Sequence, residues 1–392
     1  MRFCAQGAQR QFSWACLTHW SQGIVVGKID VMTSLGRRFG LALLCAAMTQ
    51  VGASAAVQPK APAAAKPKPA KPAPRPHIVP APAGLRQQLT TLARNFDGKA
   101  GIAVVSLSDA WEFGWNANSL FPQQSCSKLW VAITAMDAVD RKKVSLDQPV
   151  TLTASDLTLF HQPIRDKVLA NGTYTTTLGA LLFQAITESD NTANDKLMRS
   201  VGGPAAVRAM IARKGLGAIR FYNGERALQS RTAGMPWKQS YSIGNAFWDA
   251  RNALPMKTRQ AAFNRYLASP YDGASPHAIA SALAALRKGE LLKPATTQKL
   301  LSIMGQTRTG GMRVKAALAP GWDWNHKTGT GQELQGRIAG LNDIGLLTAP
   351  DGSVYAMAIM VVANKSDGSA QEIMRDVTKA VIDWHDAQPR GD

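Results

Sequence analysis

Strand-like runs stand near both ends of this chain, with a long helix-patterned stretch between them, and that placement restricts the fold more than any other feature. Near the amino end, residues 102–107 and 111–115 read as two short strands separated by the turn residues Ser108 and Asp109. Near the carboxyl end, residues 322–327, 338–347 and 354–363 read as three more, and an amphipathic helix over 371–385 closes the chain. A helix pattern covers 85–96, and others cover 126–139, 178–187, 194–200, 205–214, 278–288 and 295–304. Strands at both ends with helices between them predict an α+β fold: an antiparallel sheet flanked by helices, with a mainly helical subdomain.

The 392 residues are enough for two ordinary domains or for one large domain with appendages. The composition favours the second, because core-like periodicity starts only at Leu85, so residues 85–392 read as one domain. Upstream, Met32 starts a better leader than Met1. Arg37 and Arg38 form a basic region, residues 39–48 an apolar one, and Ala53-Ser54-Ala55 a small-residue cleavage site. Residues 1–55 are therefore expected to direct export to the periplasm or beyond, and the apolar run is too short to span a membrane. Residues 56–84 are rich in Ala, Pro and Lys, as in Lys66-Pro67-Lys68-Pro69-Ala70-Lys71-Pro72, and read as an extended basic linker able to touch peptidoglycan.

The net charge of +19 is shared between linker and domain: ten basic residues and one acid precede residue 84, leaving 35 basic against 25 acidic residues, or +10. No basic helix interleaved with aromatics and no zinc-finger spacing accompanies it, so nucleic acid is not an expected partner. Cys4, Cys16 and Cys45 precede the cleavage site, and Cys126 alone cannot form an internal disulfide. Six scattered histidines, with no H-E-x-x-H and no Cys/His cluster, imply neither a metal nor a cofactor. Among them, His326 reads as a structural hydrogen-bonding residue.

Three motifs carry chemistry. Ser125-Cys126-Ser127-Lys128 opens the helix pattern of 126–139, and residues three apart share a helix face, so the Lys128 amine comes within reach of the Ser125 hydroxyl. A serine becomes an effective nucleophile when a neighbouring base takes its proton, and a buried lysine near positive charge can serve. The helix N-terminus also offers the Ser125 N–H to a developing oxyanion. Ser189-Asp190-Asn191 lies between two helix patterns; as a cap it needs no function, and as chemistry it lets Ser189 pass a proton while Asn191 positions Lys128 and substrate. Lys327-Thr328-Gly329 ends a strand and continues as Thr330-Gly331. There Lys327 would meet a carboxylate, Gly329 would let substrate backbone approach, and the Thr330 N–H would complete an oxyanion hole.

Singly, each motif has an ordinary explanation; together, in this order and context, they resemble the penicillin-recognising serine enzymes, the class A β-lactamases and penicillin-binding transpeptidases, over residues 85–386. The resemblance implies hydrolysis of β-lactams through an acyl-enzyme on Ser125, with the proton taken by Lys128 or by Glu225 through water. Glu225 stands 36 residues after Ser189, where class A enzymes place the glutamate that activates the deacylating water. Arg313 matches a position at which some class A enzymes aim an arginine at the substrate carboxylate, beside Lys327 and Thr328. Thr330-Gly331, an enlarged hairpin over 332–340 and Asn342-Asp343-Ile344-Gly345 point to the extended-spectrum branch with atypical Ω-loops. Phe160 or His161 falls at an aromatic wall position. In some relatives a cysteine after the nucleophile is bridged to one after the K-T-G motif; that second position is Gly331 here, so Cys126 is expected to be a buried thiol.

The chain departs from the family pattern around Glu225. Gln229 replaces an asparagine, Asn223 replaces an Ω-loop arginine whose ion pair with Asp272 must then be replaced, and residues 229–271 form a 43-residue loop where relatives have a short one. Within it, 243–254 and 259–267 read as helices anchored by Trp237, Phe247, Trp248, Phe263 and Tyr266, and loops of this length are commonly functional lids. A D-alanyl-D-alanine peptidase or other penicillin-binding protein is the main rival, and a non-catalytic wall-binding module a third. Glu225 favours hydrolysis over the first, and the complete set of Ser125, Lys128, Ser189, Lys327 and Glu225 argues against the module. The protein is expected to act as a monomer.

Overall fold

The structure is a computed structural model that describes residues 79–389; the expected leader and residues 56–78 of the expected linker lie outside the described residues. Folded elements begin at β1 (Val79–Pro80), inside the stretch read as linker, and run through α1 (Ala83–Asn95), β2 (Gly98–Ser106) and β3 (Trp111–Trp115). The middle holds α2 (Lys128–Asp140), β4 (Pro149–Thr153), α3 (Ile164–Asn171), β5 (Thr173–Thr177), α4 (Leu178–Thr187), α5 (Asn191–Ser200), α6 (Gly203–Arg213), α7 (Glu225–Thr232), α8 (Ala246–Ala253), α9 (Met256–Ala268), α10 (Pro276–Arg287) and α11 (Pro294–Gly305). Strands return as β6 (Asp323–Thr330), β7 (Glu333–Leu334), β8 (Arg337–Thr348) and β9 (Val354–Ala363), before α12 (Ser369–Asp386).

The sheet runs β1-β3-β2-β9-β8-β6, with β7 paired to β8, and every pairing except β1 with β3 is antiparallel. The amino-terminal strands thus join the carboxyl-terminal ones through β2 against β9, and the α+β expectation is met. All ten residues of β9 are buried, and its period-two alternation divides them between two cores. Tyr355, Met357, Ile359, Val361 and Ala363 pack with α1 and α12, while Val354, Ala356, Ala358, Met360 and Val362 pack with α10 and the helical subdomain. β6 ends the order, so among the described residues one of its edges carries no strand.

Three local differences from the sequence reading bear on the site. Ser125 sits in a 3-10 turn over Gln124–Ser127, and the α-helix begins at Lys128. That helix is buried on every side from Lys128 to Ala138, because it is the axis of the helical subdomain and has no solvent-facing side to mark with polar residues. The helix that carries the second motif, α5, begins at Asn191, three residues earlier than its apolar pattern, since Asp190 caps it by accepting the Ala193 N–H at 2.8 Å. The threonine-rich β4–β5 ribbon carried too little apolar pattern to register as strands.

The enlarged segment is folded. Phe247 packs with Leu159, Ala233, Met235 and Tyr241, whereas Phe263 and Tyr266 pack with Leu228, Leu334 and Ala339 of the β7–β8 hairpin. Phe247, Phe263 and Tyr266 are the anchors expected of them; Trp248 is 39% exposed.

Gly331 leads into this hairpin, its N–H donating to the Gly340 carbonyl at 2.7 Å, and a Cβ there would stand 2.1 Å from the Ala339 carbonyl oxygen. Backbone cannot swing aside as a side chain can, so Gly331→Ala is expected to cost about 1–3 kcal/mol. Gly84, in open space in the first turn of α1, gives the opposite sign: Gly84→Ala is expected to gain up to about 0.5 kcal/mol by restricting the unfolded chain. Urea denaturation midpoints of the two variants check both; equal midpoints would refute the steric argument.

Candidate active site

The turn that carries Ser125 is clamped from three sides. The backbone N–H of Gln124 donates to Asp272 Oδ2 at 2.7 Å, and its side-chain amide donates to the Tyr266 hydroxyl at 2.7 Å and the Ala339 carbonyl at 3.0 Å. Asn342 Nδ2 on β8 donates to the carbonyls of Pro122 and Gln123 at 2.8 and 2.9 Å. A Cβ on Gly329 would meet the Gln123 carbonyl oxygen at 2.4 Å and Cys126 Sγ at 3.1 Å. The glycine of Lys327-Thr328-Gly329 therefore admits the nucleophile's own turn against β6, a tighter demand than the substrate approach expected of it. Gln124 is held at φ +53°, a conformation a non-glycine residue keeps only when its surroundings over-determine it.

Lys128 is fully buried, and its Nζ donates to Ser125 Oγ at 2.7 Å, Asn191 Oδ1 at 2.7 Å and Glu225 Oε1 at 2.5 Å. The three donors of an ammonium meet three acceptors from the nucleophile turn, the start of α5 and the start of α7. Asn191 also donates Nδ2 to the Leu159 carbonyl at 2.8 Å and its N–H to the His161 carbonyl at 3.0 Å, which fixes Phe160 between two bonded neighbours. Asp195 Oδ1, one turn along α5, accepts the Glu225 N–H at 2.9 Å and so caps α7 where the glutamate begins it. Gly224 makes room, since a Cβ there would lie 2.9 Å from that carboxylate. Burial, and then the Glu225 charge, push the Asp195 carboxyl up to about 6.

Gln229, one turn after Glu225, donates Nε2 to Glu225 Oε2 at 3.3 Å and to Gln124 Oε1 at 3.1 Å, while its own oxygens accept from Gln332 Nε2. Asn223 accepts from Arg208 Nη1 at 3.2 Å and takes no part at Asp272. The partners of Asp272 are instead the Gln124 N–H and the Tyr266 hydroxyl, at 2.8 Å, from α9 of the enlarged segment. With no cation beside it among the described residues, burial raises the Asp272 carboxyl to about 6.

The other end of the cleft is basic. Lys327 Nζ donates to Ser189 Oγ and to the Thr328 carbonyl, each at 3.0 Å, and Thr328 pairs its hydroxyl with that of Thr309 at 2.6 Å. Ser189 is held at φ +60°. Burial first, and the Lys128 charge second, lower the Lys327 ammonium to about 7. Arg313 Nη1 donates to the carbonyls of Gly329 and Asn342, and Nη2 to Thr330 Oγ1 at 2.6 Å. Both Nη1 hydrogens are committed, so Arg313 meets the cleft through Nη2 and Thr330, without the two-pronged grip expected of a guanidinium. His326 is buried with Nδ1 2.7 Å from Asp343 Oδ1, a structural contact. Cys126 is buried beneath the turn, its thiol pushed up to about 12 by burial, and behaves as an inert small residue.

A cavity of about 510 Å³ joins the two ends, lined by Ser125, Ser189, Asn191, Arg313, Thr328 and Thr330, by Phe160 and His161, and by Gln229, Trp248, Gln332 and Glu333. The fold thus gathers every residue singled out from the motifs. Sequence reasoning missed Asp195, Gly224, Gln124 and Gln332. Gly224 immediately before Glu225 was the one available signal, as a glycine placed ahead of a helix start. Among the described residues no cluster of three or more His, Cys, Asp or Glu is placed to hold a metal ion.

Known proteins are similar to this chain in sequence and in fold. The chain is 26% identical to β-lactamase VEB-1 of Pseudomonas aeruginosa over 291 residues, 74% of this chain and 85% of that protein. It is 27% identical to β-lactamase CTX-M-6 of Salmonella typhimurium over 296 residues, 76% of this chain and 86% of the relative. The crystal structure of a β-lactamase from Chitinophaga pinensis superposes with a TM-score of 0.64 at 28% identity, covering 77% of this chain and 99% of the other. The sequence pattern of the β-lactamase enzyme family matches residues 84–385, and with the antiparallel sheet and the serine-centred cleft in place, the chain belongs to that family.

Proposed function

We propose that Ser125 is the nucleophile with which this serine β-lactamase opens the lactam ring, and that Glu225 activates the water that frees the product. The observation that carries this reading is the single buried nitrogen, Lys128 Nζ, within hydrogen-bond distance of both Ser125 Oγ and Glu225 Oε1. Transfer of one proton from Lys128 to Glu225 leaves a neutral amine beside the serine hydroxyl, and that amine takes the Ser125 proton as the oxygen attacks the lactam carbonyl. The backbone N–H groups of Ser125 and Thr330 receive the charge that develops on the carbonyl oxygen. When the carbon–nitrogen bond breaks, Ser189 gives its proton to the nitrogen and is restored by the proton taken from Ser125. Glu225 then returns its proton to Lys128 and is free to deprotonate water at the ester.

Lys327, Thr328 and Thr330, with Arg313 behind Thr330, receive the substrate carboxylate, and Asn191 receives the amide of the acyl side chain. The position of Glu225 against Lys128 supports turnover over a stalled acyl-enzyme, the outcome expected of a peptidase or penicillin-binding protein. We further place the mature enzyme outside the cytoplasm, in the periplasm or secreted, on the strength of the leader at residues 32–55, with the basic linker toward peptidoglycan. No helix among the described residues is long and apolar enough to cross a membrane. In that compartment hydrolysis would protect the cell from β-lactam antibiotics.

Two measurements test the chemistry. Glu225→Gln is expected to slow turnover of a chromogenic cephalosporin by about 10²–10⁴-fold, with deacylation hit harder than acylation, because solvent can take the Lys128 proton in place of Glu225 whereas the water at the ester loses its base. A covalent adduct is then left in the intact mass, while the parent turns over without one. A lasting adduct on the parent would refute hydrolysis. The second concerns pH. Lys327 is charged below about 7 in the free enzyme, so kcat/KM for a carboxylate-bearing substrate is expected to fall as pH rises through about 7, mainly by a rise in KM. Lys327→Arg keeps its charge at all these pH values and is expected to lose that limb; an unchanged profile would remove Lys327 from carboxylate binding.

A further inference from the structure

We infer that the enlarged segment adds an aromatic subsite for the acyl side chain, with Trp248 as its wall, and that the subsite selects planar aromatic side chains over aliphatic ones; this rests on the β-lactamase reading above. Trp248 lines the same cavity as Ser125 and leaves 39% of its surface exposed, an unusual fate for an indole that its own segment could have buried. Its ring lies 5.2 Å from that of Phe160 with 26° between their planes, and Phe247 meets both edge-on, at 4.9 Å from Phe160 and 5.2 Å from Trp248. Phe247 is 2% exposed and ties the group to the core. These are the offset and edge-to-face geometries that aromatic rings prefer.

The wall is also fixed relative to the reacting atoms. Phe160 stands between Leu159 and His161, both bonded to Asn191, whose side-chain oxygen holds Lys128. Arg251, three residues after Trp248 on α8, stands 5.3 Å from the Trp248 ring and donates Nη2 to the Glu333 carbonyl on β7 at 2.6 Å. Helix α8 thus spans the cleft from Phe160 to the hairpin.

In a penicillin or cephalosporin the carboxylate and the acylamino group lie on opposite sides of the lactam carbonyl. A carboxylate held at Lys327 and Thr328 therefore turns the acylamino group toward Asn191, and what lies beyond Asn191 is the Phe160–Trp248 pair. An aryl group there continues the stack; a methyl group reaches little of it.

The test compares a penicillin with a phenylacetyl side chain and its acetyl counterpart on the full-length protein. Trp248→Ala is expected to lower the ratio of kcat/KM values, phenylacetyl over acetyl, about tenfold, mainly through KM, which corresponds to about 1.4 kcal/mol; Trp248→Phe is expected to restore most of it. Calorimetric binding of both penicillins to Ser125→Ala, with and without Trp248→Ala, reads the same preference without turnover. That arm separates the inference from the hydrolytic reading, since a parent that binds both compounds and hydrolyses neither overturns only the latter. Equal losses for the two penicillins in Trp248→Ala, or equal affinities in the Ser125→Ala protein, overturn the aromatic subsite and leave the stack as a fastening for α8.

Discussion

A lysine ammonium with no access to water is among the most expensive things a protein can bury, and Lys128 is tolerable only because three acceptors meet its three N–H groups. Each acceptor comes from a different segment, so the requirement ties three parts of the chain to one atom. The nucleophile turn must sit one helical turn from Lys128, α5 must start at Asn191, and α7 must start at Glu225. Removal of any one acceptor would leave a buried charge short of a partner. The same arrangement makes the site reactive, because the nitrogen that needs a carboxylate for stability also has a serine hydroxyl on its other side.

The chain around Glu225 shows how such a requirement survives large changes in sequence. The arginine expected to hold Asp272 is absent, and an ion pair is replaced by neutral donors, the Tyr266 hydroxyl and the Gln124 N–H. Those donors connect the enlarged segment directly to the residue before the nucleophile. A ladder of amides, Gln124 to Gln229 to Gln332, runs parallel to it and reaches the β7–β8 hairpin. The extra residues therefore belong to the support of the active site as well as to its rim. Neutral donors to Asp272 avoid the desolvation of a further buried cation in a site that already buries Lys128 and Lys327.

Local backbone strain gathers around the same cavity. Gln124, Phe160 and Ser189 all hold positive φ without being glycine, and each is fastened or flanked by bonded neighbours that prevent relaxation. They bring together the nucleophile turn, the aromatic wall and the proton-passing serine. Residues free to adopt ordinary conformations would point these groups elsewhere. Lys327 is lowered by its burial beside another lysine, which leaves the basic end of the cleft ready to take up an anion.

The sequence by itself determined the sheet-forming ends, the helical middle and the positions of Ser125, Lys128, Ser189, Lys327 and Glu225. Each is encoded locally: strand and helix periods span a few residues, and the motifs place chemistry at fixed offsets within a turn or a strand. Helix starts were less legible, because Asp190 and Gly224 set them by capping and close approach, with no apolar pattern to mark the change. Only the tertiary structure decided what supports those residues. Gln124 and Asp272 are 148 positions apart, Lys128 and Glu225 97, and Lys327 and Ser189 138. Nothing near either member of such a pair specifies the other; a common burial does, once both cores have closed on β9. The place of Trp248 was decided in the same way, since its helical spacing marks it as an anchor of its segment and only the packing of Phe247 beneath it turns the indole into the cleft.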